Sequence, residues 1–158
     1  MATETPREVL IFTLEAQRYA LATEDVRELV RAVRLTPLPR APAIVEGLLN
    51  LRGELLPVLD LRRRFRLPAR PLHASDHLIV ARAGARTVAL RVDRAEGLVV
   101  LEPGRFDATP RQLPGVGYVA GALKLEDGLV LLHDLRTFLS EAEGLELDGA
   151  LAPGSAPR

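Results

Sequence analysis

Apolar positions are densest between Ala43 and Phe65, where the chain reads AIVEGLLNLRGELLPVLDLRRRF. Two apolar runs, Val45 to Leu51 and Leu55 to Leu59, flank the polar Arg52, Gly53 and Glu54. Short runs rich in Leu and Val suit paired, buried strands. Gly53 can take positive φ without steric cost, so the pattern predicts a tight reversal there. Asp60 stands where it can cap a short helix with Leu61 and Phe65 on its inner face, and Pro68 stops that helix. The predicted unit is strand, turn, strand, helical turn, with Arg52 at the bend.

The unit recurs 74 residues later, where Val119 to Leu139 reads VAGALKLEDGLVLLHDLRTFL. Aligned without a gap, the two stretches share Val45/Val119, Gly47/Gly121, Leu49/Leu123, Leu51/Leu125, Leu55/Leu129, Asp60/Asp134, Leu61/Leu135 and Arg62/Arg136. Upstream the pairing continues more weakly: Leu10-Ile11 with Leu78-Ile79, Ala20-Leu21 with Ala89-Leu90, Leu29-Val30 with Leu98-Val99. Two copies suit a pseudo-symmetric pair of barrels better than a solenoid. The polar turn differs between the copies: Asn-Leu-Arg-Gly in the first, Lys-Leu-Glu-Asp in the second. The turn's identity is therefore not needed for the barrel.

The rest of the pattern fills in short strands. In Glu8 to Leu14, Leu10, Phe12 and Leu14 alternate with Ile11 and Thr13, which predicts a first strand. Ala16 to Arg18 is a predicted turn, and Tyr19 to Ala22 returns. Thr23 is a candidate cap for a single helical turn, and Leu29 to Leu35 reads as a strand. Pro37, Pro39 and Pro42 make an extended loop. The second copy offers Asp76 to Ala81, a turn at Ala83 to Ala85, Thr87 to Val92 and Gly97 to Leu101, then a long loop rich in Pro and Gly. The expected architecture is all-β: two packed five-stranded barrels, near 8–68 and 76–133, within one domain spanning 1–158. Closure into barrels would remove exposed sheet edges. A C-terminal helix is expected over 134–143, stopped by Gly144, with a disordered tail at 149–158.

Composition narrows the chemistry. The net charge is +0, so the whole molecule exerts no pull on nucleic acid or acidic membranes. There is no Cys, hence no disulfide, thiolate nucleophile or Cys-ligated metal. His73, His77 and His133 show no metal-ligand spacing, and no P-loop, G-x-S-x-G elbow or G-x-G-x-x-G fingerprint occurs. No apolar run approaches membrane-span length, and the first residues lack a signal-peptide core. These readings imply a cytoplasmic non-enzyme without cofactor or metal. Asp60 and Asp134 read as N-caps rather than a catalytic pair. Arg62, Arg63, Arg64, Arg66 and Arg70 form the one strong charge cluster, either a phosphate-binding patch or the solvated face of a short helix.

The runs Gly47 to Gly53 (GLLNLRG) and Leu56 to Arg62 (LPVLDLR) resemble the signature of the CheW family, the bacterial chemotaxis coupling proteins. Leu10-Ile11-Phe12, Val26 with Glu28, Pro42, Val92-Asp93 and Gly121 to Leu132 agree with it, over about residues 8 to 143. Ala89 and Ala95 depart from the family's usual Gly and Val. The resemblance implies two five-stranded SH3-like barrels packed side by side and a non-catalytic role. That role is bridging a CheA-type histidine kinase to the cytoplasmic tips of methyl-accepting chemoreceptors.

One barrel would pair with the kinase's regulatory domain, and the groove between barrels would take the receptor's helical hairpin. Carried over by motif, Val26, Glu28, Gly47, Asn50, Arg52, Gly53 and Asp93 are the candidate partner-binding residues. Arg52 has a physical case as well, because its five-donor fork is enriched in binding hot spots. An internal ion pair, to Glu54 or Asp60, is the other reading. The expected state is a cytoplasmic monomer that joins membrane receptor arrays through its partners, without nucleic acid or membrane insertion. A pilus or developmental array, and a nucleic-acid-binding barrel pair using the Arg62–Arg70 cluster, remain the alternatives.

Overall fold

The structure, a computed structural model, describes residues 6–107 and 119–152. Eleven strands are present among them: β1 (Glu8–Leu14), β2 (Gln17–Ala22), β3 (Val26–Arg31), β4 (Val45–Leu51), β5 (Glu54–Asp60), β6 (His77–Ala83), β7 (Arg86–Val92), β8 (Arg94–Val100), β9 (Phe106–Asp107), β10 (Val119–Leu125) and β11 (Gly128–His133). The helices are α1 (Leu61–Arg64) and α2 (Glu141–Leu151). One sheet has five strands, ordered β3-β6-β7-β5-β4, and the other six, ordered β8-β1-β2-β11-β10-β9.

This order revises the expected barrel boundaries. The hairpin β1–β2 does not join β3, β4 and β5; it sits in the sheet of β8, β10 and β11. The matching hairpin of the second copy, β6–β7, sits with β3, β4 and β5. The two repeats have exchanged hairpins within one chain, so neither barrel is a contiguous stretch at 8–68 or 76–133. In each sheet an equivalent parallel pairing joins the two hairpins, β5 with β7 and β11 with β2.

The exchange explains why these strands read as continuous apolar runs rather than clean alternations. In β1, Val9 and Ile11 enter the core of the six-stranded sheet, while Leu10, Phe12 and Leu14 enter a core shared by both sheets. In β6, Leu78 and Val80 fill the five-stranded sheet's core, while Ile79 and Ala81 face the shared one. Strands apolar on both faces must be covered on both. The shared core also holds Leu21, Leu59, Leu90 and Phe138, each with 0% exposure. Burying one such Leu or Phe stabilises the fold by about 2 kcal/mol, and here that gain depends on both barrels being present.

Several local expectations shift. β3 ends at Arg31, and Thr36 instead makes an isolated bridge to Leu48. Thr23 does not cap the 3-10 turn Thr23–Asp25: Ala22 holds the cap position and the Thr23 hydroxyl is buried without a hydrogen bond. After Asp134 comes only a 3-10 turn, Leu135–Thr137, and the helix proper starts later than expected, at Glu141. Ser140 begins it, because its hydroxyl accepts from the Glu143 N–H while the Glu143 carboxylate accepts from the Ser140 N–H. Gly144 lies inside that helix rather than ending it, and residues 149–151 of the expected tail are helical. Most of the Pro- and Gly-rich loop (108–118) and the last residues (153–158) lie outside the described residues.

Candidate partner-binding site

Gly47 shows why the signature hairpin has its shape. A Cβ there would lie 2.7 Å from the Thr36 carbonyl oxygen, so only glycine lets β4 approach the segment at residues 35–36. Gly121 is matched: its Cβ would lie 2.5 Å from the Asp107 carbonyl oxygen. Both hairpins carry a register shift at the same place, Val45/Gly47 and Val119/Gly121. Both end in the expected cap, with Asp60 accepting from the Arg62 N–H and Asp134 from the Arg136 N–H, each at 3.0 Å.

At the tip, Leu51 pairs with Glu54 across a two-residue loop in which Arg52 has φ 52 and Gly53 φ 88. Positive φ at both central residues is the hairpin turn whose twist matches the strands, and Asn-Gly is its usual pair. Arg52 holds the left-handed conformation with a side chain that disfavours it. The Asn50 side-chain oxygen accepts from the Gly53 N–H at 2.9 Å and braces the loop. Arg52 Nη2 donates to Glu28 Oε2 at 2.7 Å, and Arg27 Nη1 donates to Glu54 Oε1 at 2.8 Å. The Arg52 hydrogen bond draws the Glu28 carboxyl below its ordinary range. The Arg52 side chain nonetheless remains 66% exposed. It is an aimed guanidinium at the surface, with unused donors.

Of the seven candidates, Val26, Glu28, Asn50, Arg52 and Gly53 belong to this end of the five-stranded barrel: the start of β3 and the β4–β5 loop. Gly47 serves the close packing beneath it. Asp93 lies elsewhere. Its carboxylate takes both Arg62 Nη2 contacts at 2.8 Å, Arg70 Nη2 at 2.8 Å and the Glu15 N–H at 3.0 Å. Burial opposes ionisation, but these donors outweigh it and hold the carboxyl below its usual range. The internal partner of Arg52 is Glu28, not the anticipated Glu54 or Asp60. Arg27 was not singled out in the sequence, and only pairing distant segments could have exposed its bond to Glu54.

The Arg62–Arg70 cluster divides: Arg62, Arg64 and Arg70 are spent on acids of the chain, while Arg63 and Arg66 are exposed. The Arg62 side chain is 3% exposed and bonds Glu15 and Asp93, with the Pro68 carbonyl accepting from it at 3.0 Å. Arg64 donates to Glu143, and Arg70 to Asp76 and Asp93. Arg91 extends the array to Glu46, at 2.6 Å but off-line for a hydrogen bond, and to Asp60 and Asp76. Burial pushes the Glu46 carboxyl up despite Arg91. This chain of ion pairs joins the β1–β2 turn of one sheet to strands of the other.

At the second tip, Glu126 and Asp127 replace Arg52 and Gly53, and Arg18 Nη2 reaches Asp127 at 2.7 Å. Beside it lies an open cleft of about 610 Å³ lined by Leu98, Val100, Arg105 and Lys124. Leu98, Val100 and Leu129 are largely exposed, as are Leu29 and Leu55 on the first barrel.

Paired SH3-like barrels with a shared core, an aimed arginine and exposed apolar side chains at both tips define a binding module. The chain belongs to the CheW family: the model of the CheW-like domain matches residues 8–143. It is similar to the chemotaxis protein CheW of Treponema pallidum, 25% identical over 142 residues covering 86% of this chain and 84% of that one. Protein FrzA of Myxococcus xanthus is 32% identical over 122 residues, covering 73% and 76%. The crystal structure of the scaffolding protein TtCheW from Thermoanaerobacter tengcongensis superposes with a TM-score of 0.80 at 26% identity, covering 88% of this chain and 96% of that one. No helix among the described residues is long and apolar enough to cross a membrane.

Proposed function

We propose that this chain is a non-catalytic adaptor that couples chemoreceptors to a CheA-type histidine kinase. Family membership and the similarity to a scaffolding protein support the reading. The observation that carries the site assignment is Arg52, held in a disfavoured backbone conformation and aimed by Glu28 while its fork stays open to solvent. Strain of this kind persists where the surroundings over-determine it, and it clusters at functional positions. Val26, Glu28, Asn50, Arg52 and Gly53 form the proposed contact surface. Gly47 supports that surface from beneath, and Asp93 contributes by holding the two barrels in register. The kinase's regulatory domain pairs with one barrel, and the groove between barrels takes the receptor's helical hairpin. The protein acts as a cytoplasmic monomer until its partners recruit it to an array.

Arg52→Ala tests the assignment. Affinity for the kinase regulatory domain or the receptor tip should fall roughly 30-fold, the size of a hot-spot truncation. The denaturant midpoint should hold, because an exposed ion pair adds little to stability. Intact affinity for both partners removes Arg52 from the contact surface, and a collapsed melt makes it a structural residue.

A further inference from the structure

A second polar site lies at the seam between the sheets. Arg31, the last residue of β3, pairs across the strands with His77, the first of β6. Arg94 opens β8 in the other sheet, opposite Thr13. All three line one depression of about 440 Å³ with Ala74, Ser75 and Asp93. The exchanged topology alone puts them together, one arginine from each barrel.

The donors in this depression are not spent. Among the described residues, neither the Arg31 nor the Arg94 guanidinium has an ion pair or a side-chain hydrogen bond, in contrast to Arg62, Arg70 and Arg91 close by. The His77 Nδ1 accepts from the Ala95 N–H at 2.8 Å, so in the neutral ring the proton sits on Nε2 as a donor. That bond also ties the ring, which stands on a strand of one barrel, to the first residues of β8 in the other. The one acid in the lining, Asp93, is already saturated by Arg62, Arg70 and the Glu15 N–H, so its charge is compensated from behind. Ser75 is also committed, since its hydroxyl lies 2.6 Å from His73 Nδ1. The residues that line the depression carry two free guanidinium forks and an imidazole N–H, with no uncompensated acid among them. Such a set matches an oxyanion, because guanidinium forks bind phosphate and carboxylate bidentately.

We infer that Arg31, Arg94 and His77 form an oxyanion-binding site that bridges the two barrels. The ligand class is a phosphate, free or esterified, or the carboxylate of an acidic side chain. An occupant would cross-link β3 to β8 and stiffen the seam. The inference does not depend on the adaptor reading.

The test is a titration of the full-length ¹⁵N-labelled protein with inorganic phosphate, and separately with acetate, at constant ionic strength. Saturable shifts should be confined to Arg31 and residues 74–77 and 93–95. Arg31→Gln and Arg94→Gln should each weaken them at least 10-fold without changing the melting temperature, since both side chains are exposed. Saturation by phosphate alone assigns a phosphate ligand, and comparable saturation by acetate assigns a carboxylate. Shifts that fail to saturate, that spread over the arginines of other regions, or that persist in both variants overturn the site.

Discussion

The hairpins β4–β5 and β10–β11 share their framework and differ at their tips. Each has a glycine that a side chain would drive into a neighbouring carbonyl, a register shift at that glycine and an aspartate that caps the turn after the second strand. At the tips the resemblance stops. The first holds a left-handed arginine braced by Asn50 and tied to β3 by two ion pairs. The second holds Glu126 and Asp127, tied to β2 by Arg18, beside an open cleft. Barrel closure constrains the strands and leaves the tips free, so difference between copies collects where the fold does not need a particular residue. The first tip departs from the usual Asn-Gly pair at Arg52, which makes that residue hard to explain by folding and easy to explain by contact.

The largest expected effect concerns whether either hairpin belongs to a self-sufficient barrel. A fragment ending at residue 72 carries β1 to β5 but lacks β6 and β7, so its five-stranded sheet cannot close. It should be unfolded by circular dichroism, and mixing it with the complementary fragment should restore structure. A cooperatively folded isolated fragment would show that hairpin exchange is not obligatory.

The shared framework comes next. Gly47→Ala and Gly121→Ala should each cost about 2 kcal/mol in a urea melt, because the added Cβ meets backbone that cannot swing aside. If only one substitution costs stability, the two close approaches are not equivalent.

Asp93 holds together the barrels that carry the two hairpins. Its folded-state pKa is depressed, so the stabilisation it supplies is present above the ordinary carboxylate range, near pH 4, and is lost as pH falls through the folded value. Asp93→Asn should lower the melting temperature at pH 7, and the gap to wild type should narrow as pH falls below the ordinary carboxylate range. A constant gap from pH 7 to pH 2 would remove Asp93 as a source of the acid sensitivity.

The smallest effect on the fold is also the sharpest contrast between the tips. Arg52→Asn installs Asn-Gly, the pair this turn prefers, so the melting temperature should hold or rise. Partner affinity should fall as it does for alanine, because the guanidinium is gone. A drop in melting temperature would mean that the Arg52–Glu28 pair outweighs the backbone strain it accompanies.

Much of the fold was legible because local pattern and local chemistry agreed. The Asp caps, the Gly53 reversal and every strand but β9 follow from residue types at short spacing. The C-terminal helix starts later than expected because the capping box of Ser140 and Glu143 begins it, while Asp134 caps only a 3-10 turn. The arginine cluster was misread for a different reason. Glu15, Asp93 and Glu143, which neutralise it, lie 47, 31 and 79 residues from their partners, and no local pattern connects them.

The sequence by itself determined that this chain makes two copies of a small β unit, where each copy turns and caps, and which family's signature the first copy bears. Only the tertiary structure decided which hairpin completes which barrel. Apart from the short β9, each repeat supplies five strands, so contiguous and exchanged pairings satisfy the same local pattern, and hairpins apolar on both faces can be covered by either. The choice rests on contacts between residues far apart in the chain, and those contacts place Asp93 behind a buried arginine and bring Arg31 beside Arg94.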